Sequence, residues 1–110
     1  MPRTIPTPNH GRRHTVSELR GLLRSAVEAN WANIWVVGEI SNLARPASGH
    51  LYFSLTDEDG RLKSVMFRGF ARQMGFEPGN GLQVLARGTI TIYAPRGDLQ
   101  LSVQFMEPLG

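Results

Sequence analysis

Near the amino end of the chain, apolar residues repeat with the spacing of a helix. Thr15 followed by Glu18 matches a capping box, in which a hydroxyl and a carboxylate satisfy the free N–H groups at a helix start. The apolar positions recur at intervals of three and four residues: Val16, Leu19, Leu22, Leu23, Ala26 and Val27. This pattern predicts an amphipathic helix of about 14 residues that needs a surface to pack on. We expect Trp31 and Trp35 to form that surface.

From Ile34 onward the pattern becomes that of β-strands. Residues 50–56 alternate strictly, so that Phe53 and two leucines share one side while Tyr52 stands on the other. Similar runs, bounded by turn residues, predict strands over 34–43, 50–56, 61–68, 82–94 and 99–107. A short helix is predicted over 69–76, between the third and fourth strands.

Three strands, a short helix and two further strands follow one another in the order of an OB fold. In that fold the helix closes one end of the barrel, and Gly38 would bend the first strand so that it serves both halves of the sheet. The predicted fold class is therefore all-β, a five-stranded OB barrel with a short helix between strands three and four. The amphipathic amino-terminal helix is an addition to it. A generic five-stranded barrel or a small sandwich is the alternative.

The charge of the chain is unevenly distributed. A net charge of +3 suggests a nucleic-acid partner. However, three of the twelve bases lie in residues 1–14, which hold no acid, and the remaining nine bases are matched by nine acids. We predict a flexible basic arm over residues 1–14 and an OB-fold nucleic-acid-binding domain, formally neutral, over residues 15–110.

Several classes of chemistry have no support in the sequence. Cysteine is absent and the three histidines are scattered, so we expect neither a disulfide framework nor a zinc site. The acidic residues 57–59 fit a solvated turn, and no nucleophile stands beside a base. No apolar run has the length of a membrane span. We therefore expect a cytoplasmic protein with no cofactor, no metal, no membrane contact and no catalytic residue in this chain.

The outer faces of strands two and three carry the best candidates for binding. OB surfaces bind single strands by stacking bases on aromatic rings, while basic side chains contact the phosphates. Tyr52, beside His50, is the strongest stacking candidate; the alternative is that it covers the amino-terminal helix. If Val65 and Phe67 enter the core, the outer face carries Ser64, Met66 and Arg68 beside Tyr52. The predicted nucleic-acid contacts are Tyr52, His50, Arg68, Arg45, Ser64, Arg96 and Asn42.

Arg45 and Arg96 enter this set by position. They lie in the first and last loops between strands, the two loops that border the binding cleft of an OB fold. The alternative for each is an ordinary solvated turn residue.

Four separated motifs occur in the same order in one known family. They are WVVGEISN at 35–42, PASGHLYF at 46–53, VMFR at 65–68 and YAPRGDLQ at 93–100. Together they resemble the amino-terminal domain of the large subunit of exodeoxyribonuclease VII, over residues 15–110. The resemblance implies an OB module for single-stranded DNA in a cytoplasmic hydrolase that degrades single strands from both ends.

The resemblance also implies partners. These are a following catalytic domain that needs no added divalent metal, and several small helical subunits. Two other functions stay open on the residues: a docking module for the catalytic domain or partner subunits, and an RNA-binding OB domain.

Overall fold

Five strands close into a barrel in the computed structural model, which describes residues 11–93 and 97–110. The strands are β1 Ile34–Ala44, β2 Leu51–Thr56, β3 Arg61–Met66, β4 Gln83–Tyr93 and β5 Asp98–Pro108. Helix α1 spans Val16–Asn30, and helix α2 spans Arg68–Ala71. Around the barrel the order is β1, β2, β3, β5, β4, with β3 and β5 parallel and the other neighbours antiparallel. The predicted OB architecture is confirmed.

The interior of the barrel is filled by one side of each strand. Ile40, Val84, Leu101 and Val103 have no exposed surface. The full core cluster consists of Ile40, Leu51, Phe53, Leu55, Met66, Val84, Ala86, Leu101, Val103 and Met106. Alternation along the strands therefore separates an apolar inside from an outer face.

In β3 the predicted assignment of side chains to the two faces is wrong. Partners in an antiparallel pair share a face of the sheet. Ser64 pairs with Phe53, which is in the core, whereas Val65 pairs with Tyr52, which is not. Ser64 and Met66 consequently point into the barrel, and the side chain of Ser64 is buried.

Helix α2 is shorter than predicted, ending at Ala71 although the prediction extended to Phe76. Ala71, Met74 and Phe76 pack against one part of the core, so the segment covers the barrel interior with a short helix and a following turn. Within the described residues, neither this helix nor α1 has the length and apolar character needed to cross a membrane.

Helix α1 has the predicted cap but not the predicted packing. The Thr15 hydroxyl accepts a hydrogen bond from the Glu18 N–H at 3.0 Å, and the Glu18 carboxylate accepts one from the Thr15 N–H at 3.2 Å. A shallow groove between α1 and β4 is lined by Ser17, Arg20, Gly21, Arg24 and Ile92. None of the residues of α1 is buried, and its leucines are about half exposed. Trp31 and Trp35 are also more than half exposed, so the prediction that they receive the helix is wrong.

The pairing register of β1 is irregular at Asn42, whereas Gly38 lies where β1 passes from pairing with β4, over residues 34–39, to pairing with β2, over residues 39–44. The pairing of β1 with β2 shifts between Ser41 and Ala44, and Asn42 has a positive φ of 51°. One extra residue on β1 thus forms a bulge. Gly38 also has a packing role, because a Cβ there would lie 3.2 Å from the Cβ of Leu55. Its lack of a side chain lets β1 and β2 approach closely.

Candidate nucleic-acid interface

Three rings meet on the outer surface where β2 begins and β3 ends. The centroid of the His50 ring lies 6.3 Å from that of Tyr52 and 5.4 Å from that of Phe67, with interplanar angles of 85° and 88°. Tyr52 is 41% exposed and Phe67 is 45% exposed. Edge-to-face contacts of this kind are favourable for aromatic rings and hold them in fixed orientations. We call His50, Tyr52 and Phe67 the ring cluster.

A backbone hydrogen bond fixes the ring cluster to the start of α2. Phe67 has extended dihedral angles and occupies the position before the helix, and the N–H of Arg68 donates to His50 Nδ1 at 2.9 Å. A neutral imidazole that accepts at Nδ1 carries its proton on Nε2, which leaves that N–H as a donor.

Gly49 brings the side chain of Arg68 close to the same corner. Gly49 has a φ of +88°, and a Cβ there would lie 3.3 Å from Cγ and Cδ of Arg68. The stem of Arg68 therefore lies over the β1–β2 loop beside the ring cluster.

The outer face continues from the ring cluster along β2 and β3. Val65 pairs with Tyr52, and Lys63 pairs with Ser54 one step further along the strands. Val65 and Ser54 are buried although they lie outside the core cluster. The Nζ of Lys63 lies 3.2 Å from the Asp98 carboxylate, at the start of β5. This face therefore runs from three rings at one end to an ion pair at the other.

Carboxylates already neutralise two of the basic side chains near this face. A guanidinium nitrogen of Arg45 lies 2.8 Å from a carboxylate oxygen of Glu77, and Lys63 is paired with Asp98. Exposed pairs of this kind contribute little free energy, so a phosphate can replace the carboxylate at small cost. Arg68, in contrast, makes no ion pair within residues 11–93 and 97–110.

Five of the seven predicted contact residues lie near one another, either in the sequence or through strand pairing. His50, Tyr52 and Arg68 meet at the ring cluster. Arg45 lies on the loop that leads to His50, and Asn42 lies at the bulge of β1, two residues before Ala44, the partner of Tyr52. The structure thus brings the rings and Arg68 together and places Arg45 and Asn42 at their border.

Of the other two predicted residues, only Ser64 can be assessed, and it does not contribute to this surface. Ser64 points into the barrel, and its hydroxyl donates to a backbone carbonyl of its own strand at 3.2 Å. Arg96 lies outside the described residues. Phe67, which the sequence analysis considered only as a possible core residue, is the contact candidate that sequence reasoning missed. Its signal was its position directly before Arg68, in the motif at 65–68.

The chemistry available at this surface is that of binding. Exposed rings can stack on bases, while a guanidinium and an imidazole N–H can donate to phosphate or to base edges. Within the described parts of the chain, no group of three His, Asp or Glu side chains could hold a metal ion.

The chain belongs to the family of OB-fold nucleic acid binding domains, which it matches over residues 14–107. Among curated proteins it is similar to the exodeoxyribonuclease 7 large subunit of Geobacter metallireducens. The two are 50% identical over 96 residues, which are 87% of this chain and 21% of the relative. Further relatives carry the same name, and the resemblance noted from the four motifs is confirmed. The chain spans about a fifth of the length of these relatives.

Solved structures share the fold at low sequence identity. The second single-stranded DNA binding protein of Mycobacterium smegmatis superposes with a TM-score of 0.59 and 19% identity, over 71% of this chain and 86% of that one. The asparaginyl-tRNA synthetase of Entamoeba histolytica gives 0.60 and 14%, over 79% of this chain and 22% of that one. At these identities the likeness shows the barrel alone, and it does not separate DNA from RNA as a ligand.

Proposed function

We propose that this domain binds single-stranded DNA on the outer face of β2 and β3. The observation that carries the proposal is the ring cluster, in which two exposed rings stand beside an arginine that forms no ion pair with any described carboxylate. Bases stack on Tyr52 and Phe67, because every base has a flat face and stacking does not depend on sequence. Arg68 and the Nε2–H of His50 donate to the phosphate or to a base edge.

In the whole protein, we propose that the domain presents the strand to a catalytic domain beyond this chain. The names of the relatives support an exodeoxyribonuclease VII, a hydrolase that cuts single-stranded DNA from both ends into oligonucleotides. Its partners would be its own catalytic domain and the small subunits of that enzyme. The cytoplasmic location stays a prediction.

Titration of the 110-residue chain with labelled oligothymidine in low salt tests the proposal. Tyr52→Ala and Phe67→Ala should each weaken binding by about 1 to 3 kcal/mol, the usual contribution of one stacked base. Phe70→Ala is the matched control, because Phe70 is also exposed but makes no ring contact in the described structure. Wild-type affinity in both ring variants would contradict the proposal.

The salt dependence of the same titration reports the phosphate contacts. Each neutralised phosphate adds to the slope of log affinity against log salt concentration. We expect a shallow slope, and a smaller one for Arg68→Gln, because few basic side chains on this face lack a carboxylate partner.

A docking module is the second candidate function, favoured by the exposed apolar residues of α1. In that case the affinity for DNA would come from the basic residues 1–14. Deletion of residues 1–14 separates the two functions: loss of binding with the barrel still folded favours docking, and retained binding favours the ring cluster.

An RNA ligand is the remaining alternative. Stacking on Tyr52 and Phe67 neither requires nor forbids a 2′-hydroxyl. Competition between DNA and RNA oligonucleotides of the same sequence decides it, and stronger competition by RNA would overturn the assignment of DNA.

A further inference from the structure

A second set of exposed aromatic side chains lies on the outer face of β1, β4 and β5. Trp35 on β1 pairs with Arg87 on β4, which pairs with Phe105 on β5, so that three neighbours form a row across three strands. The rings of Trp35 and Phe105 meet edge to face, with centroids 6.0 Å apart at 80°. Trp35 is 55% exposed and Phe105 is 39% exposed. We call these three residues the tryptophan face.

The cation on the tryptophan face has no anionic partner among the residues that the structure describes. The guanidinium carbon of Arg87 lies 5.9 Å from the centroid of the Trp35 ring, within the range of a cation–π contact. Its Nε is buried without a hydrogen bond, and no described carboxylate lies within ion-pair distance. Glu107 lies on the same face of β5, two residues beyond Phe105, but does not pair with Arg87. Arg45 and Lys63, in contrast, each have a carboxylate partner.

We propose that the tryptophan face is a second contact surface for single-stranded nucleic acid. The inference rests on the proposed function and extends its binding site around the barrel. A ligand that fits an exposed indole beside an unneutralised guanidinium carries both a flat ring and a negative charge, and a nucleotide has both. Aromatic side chains combined with arginine are what single-strand binding surfaces use.

The two surfaces lie at different positions along β1. Trp35 precedes Ala44, the β1 partner of Tyr52, by nine residues. At about 3.3 Å per residue, the separation along β1 is up to about 30 Å. OB folds bind about 4 to 16 nucleotides, so we expect an oligonucleotide at the lower end of this range to fill the ring cluster and leave the tryptophan face uncovered.

Length-dependent binding tests the inference with the 110-residue chain. Oligothymidines of about 5 and about 20 nucleotides, chosen to bracket the range of OB site sizes, are titrated against the wild type, Tyr52→Ala and Trp35→Ala. Tyr52→Ala should weaken binding of both lengths. Trp35→Ala should weaken binding of the long strand by about five- to a hundred-fold, as expected for one stacked base, and leave the short strand unchanged.

Trp31→Ala is the matched control. Trp31 is as exposed as Trp35, but its described contact with β4 is a backbone one, in which its carbonyl accepts from the Ile90 N–H at 2.9 Å. The Trp31→Ala variant should bind the short and the long oligothymidine with the affinity of the wild type. Thermal unfolding of each variant shows that the barrel is intact.

Fluorescence gives a second readout. The chain contains two tryptophans, so Trp31→Phe leaves Trp35 as the sole reporter. The long strand should quench this fluorescence, and the short strand, at the concentration that saturates the ring cluster, should not.

The outcomes separate the inference from the function on which it rests. If Tyr52→Ala weakens binding while Trp35→Ala changes neither length and no quenching occurs, the second surface is overturned and the ring cluster stands. The tryptophan face would then be free for a protein partner. Equal losses for both lengths in Trp35→Ala also overturn it, because they place Trp35 in the short site. If the wild type binds neither strand, the proposed function fails as well.

Discussion

The barrel and helix α1 both come from regular apolar patterns, yet they lie in opposite environments. Alternate residues of β2 and β4 are almost fully buried, whereas Val16 and the three leucines of α1 are about half exposed or more. In a barrel, closure places every inward side chain against others, so alternation identifies the side chains that fill the interior. A helix pattern specifies an apolar face but not the surface that covers it. Periodicity therefore predicts the environment of a strand in a closed sheet better than that of a lone helix.

The largest expected difference between the two regions comes from removing an apolar side chain. Ile40→Ala should lower the free energy of unfolding by about 2 to 5 kcal/mol, because it leaves a cavity in the core. The matched change Leu23→Ala, at an exposed position of α1, should stay within about 0.5 kcal/mol. Urea unfolding of both variants measures this, and similar losses would show that α1 is packed more tightly than its exposure indicates.

Replacement of glycine by alanine should change stability in opposite directions in the barrel and in α1. A Cβ at Gly88 in β4 would overlap the carbonyl of Ser102, so Gly88→Ala should cost about 1 to 3 kcal/mol of stability. A Cβ at Gly21 in α1 meets nothing within 4 Å, and Gly21→Ala should favour the helix by up to about 1 kcal/mol. Circular dichroism follows α1, and denaturant midpoints follow the barrel. An unchanged denaturant midpoint in Gly88→Ala would contradict the expected difference between the barrel and α1.

Loss of the helix cap should act locally. Thr15→Ala removes the hydroxyl that accepts from the Glu18 N–H and should destabilise α1 by about 1 kcal/mol. Since α1 buries no residue, hydrogen exchange should accelerate in α1 alone, with the barrel midpoint unchanged. Thr15→Ser keeps the acceptor and serves as the control. A lower midpoint for the barrel would show that the two regions are coupled.

The smallest expected effect is that of acid on the same cap. The pKa of Glu18 lies below its ordinary value of 4.5, chiefly because its carboxylate accepts a hydrogen bond from the Thr15 N–H. Because the pKa is lowered, the ionised carboxylate stabilises the folded state fully at a pH above the ordinary pKa. This stabilisation is lost as the pH falls through the pKa of the folded state. The helical signal of α1 should therefore decline on acidification below about pH 4.5, and less so in Glu18→Gln. An identical decline in that variant would assign the effect to other groups.

The sequence predicts most of the fold because its clearest signals come from the barrel. The alternation of Leu51, Phe53 and Leu55 identifies the inner face of β2, and the order of the elements identifies the topology. Strand β3 is ambiguous, because Val65 and Met66 are adjacent, apolar and both buried. Only pairing with β2 decides between them, and that register is a property of the assembled sheet.

Prediction of the candidate site is correspondingly uneven. The outward position of Tyr52 follows from strand alternation, because its neighbours Leu51 and Phe53 both point into the core. Phe67 could not be assigned in this way, because the chain leaves β3 before it and strand alternation no longer applies. Its place beside His50 depends on the turn into α2 and on the Arg68 N–H bond to the imidazole.

The parallel pairing of β3 with β5 also bears on how the chain acquires its structure. Lys63 finds its partner Gln100 only after 36 intervening residues have been added, so the contact is a distant one along the chain. Until β5 arrives, β3 and β4 each present an unpaired edge, which is the state most prone to pairing with other chains. Closure by the last strand is a non-local and hence slow event. During synthesis, the arrival of Leu101 and Val103 in the core therefore ends the period in which the barrel exposes these two strand edges.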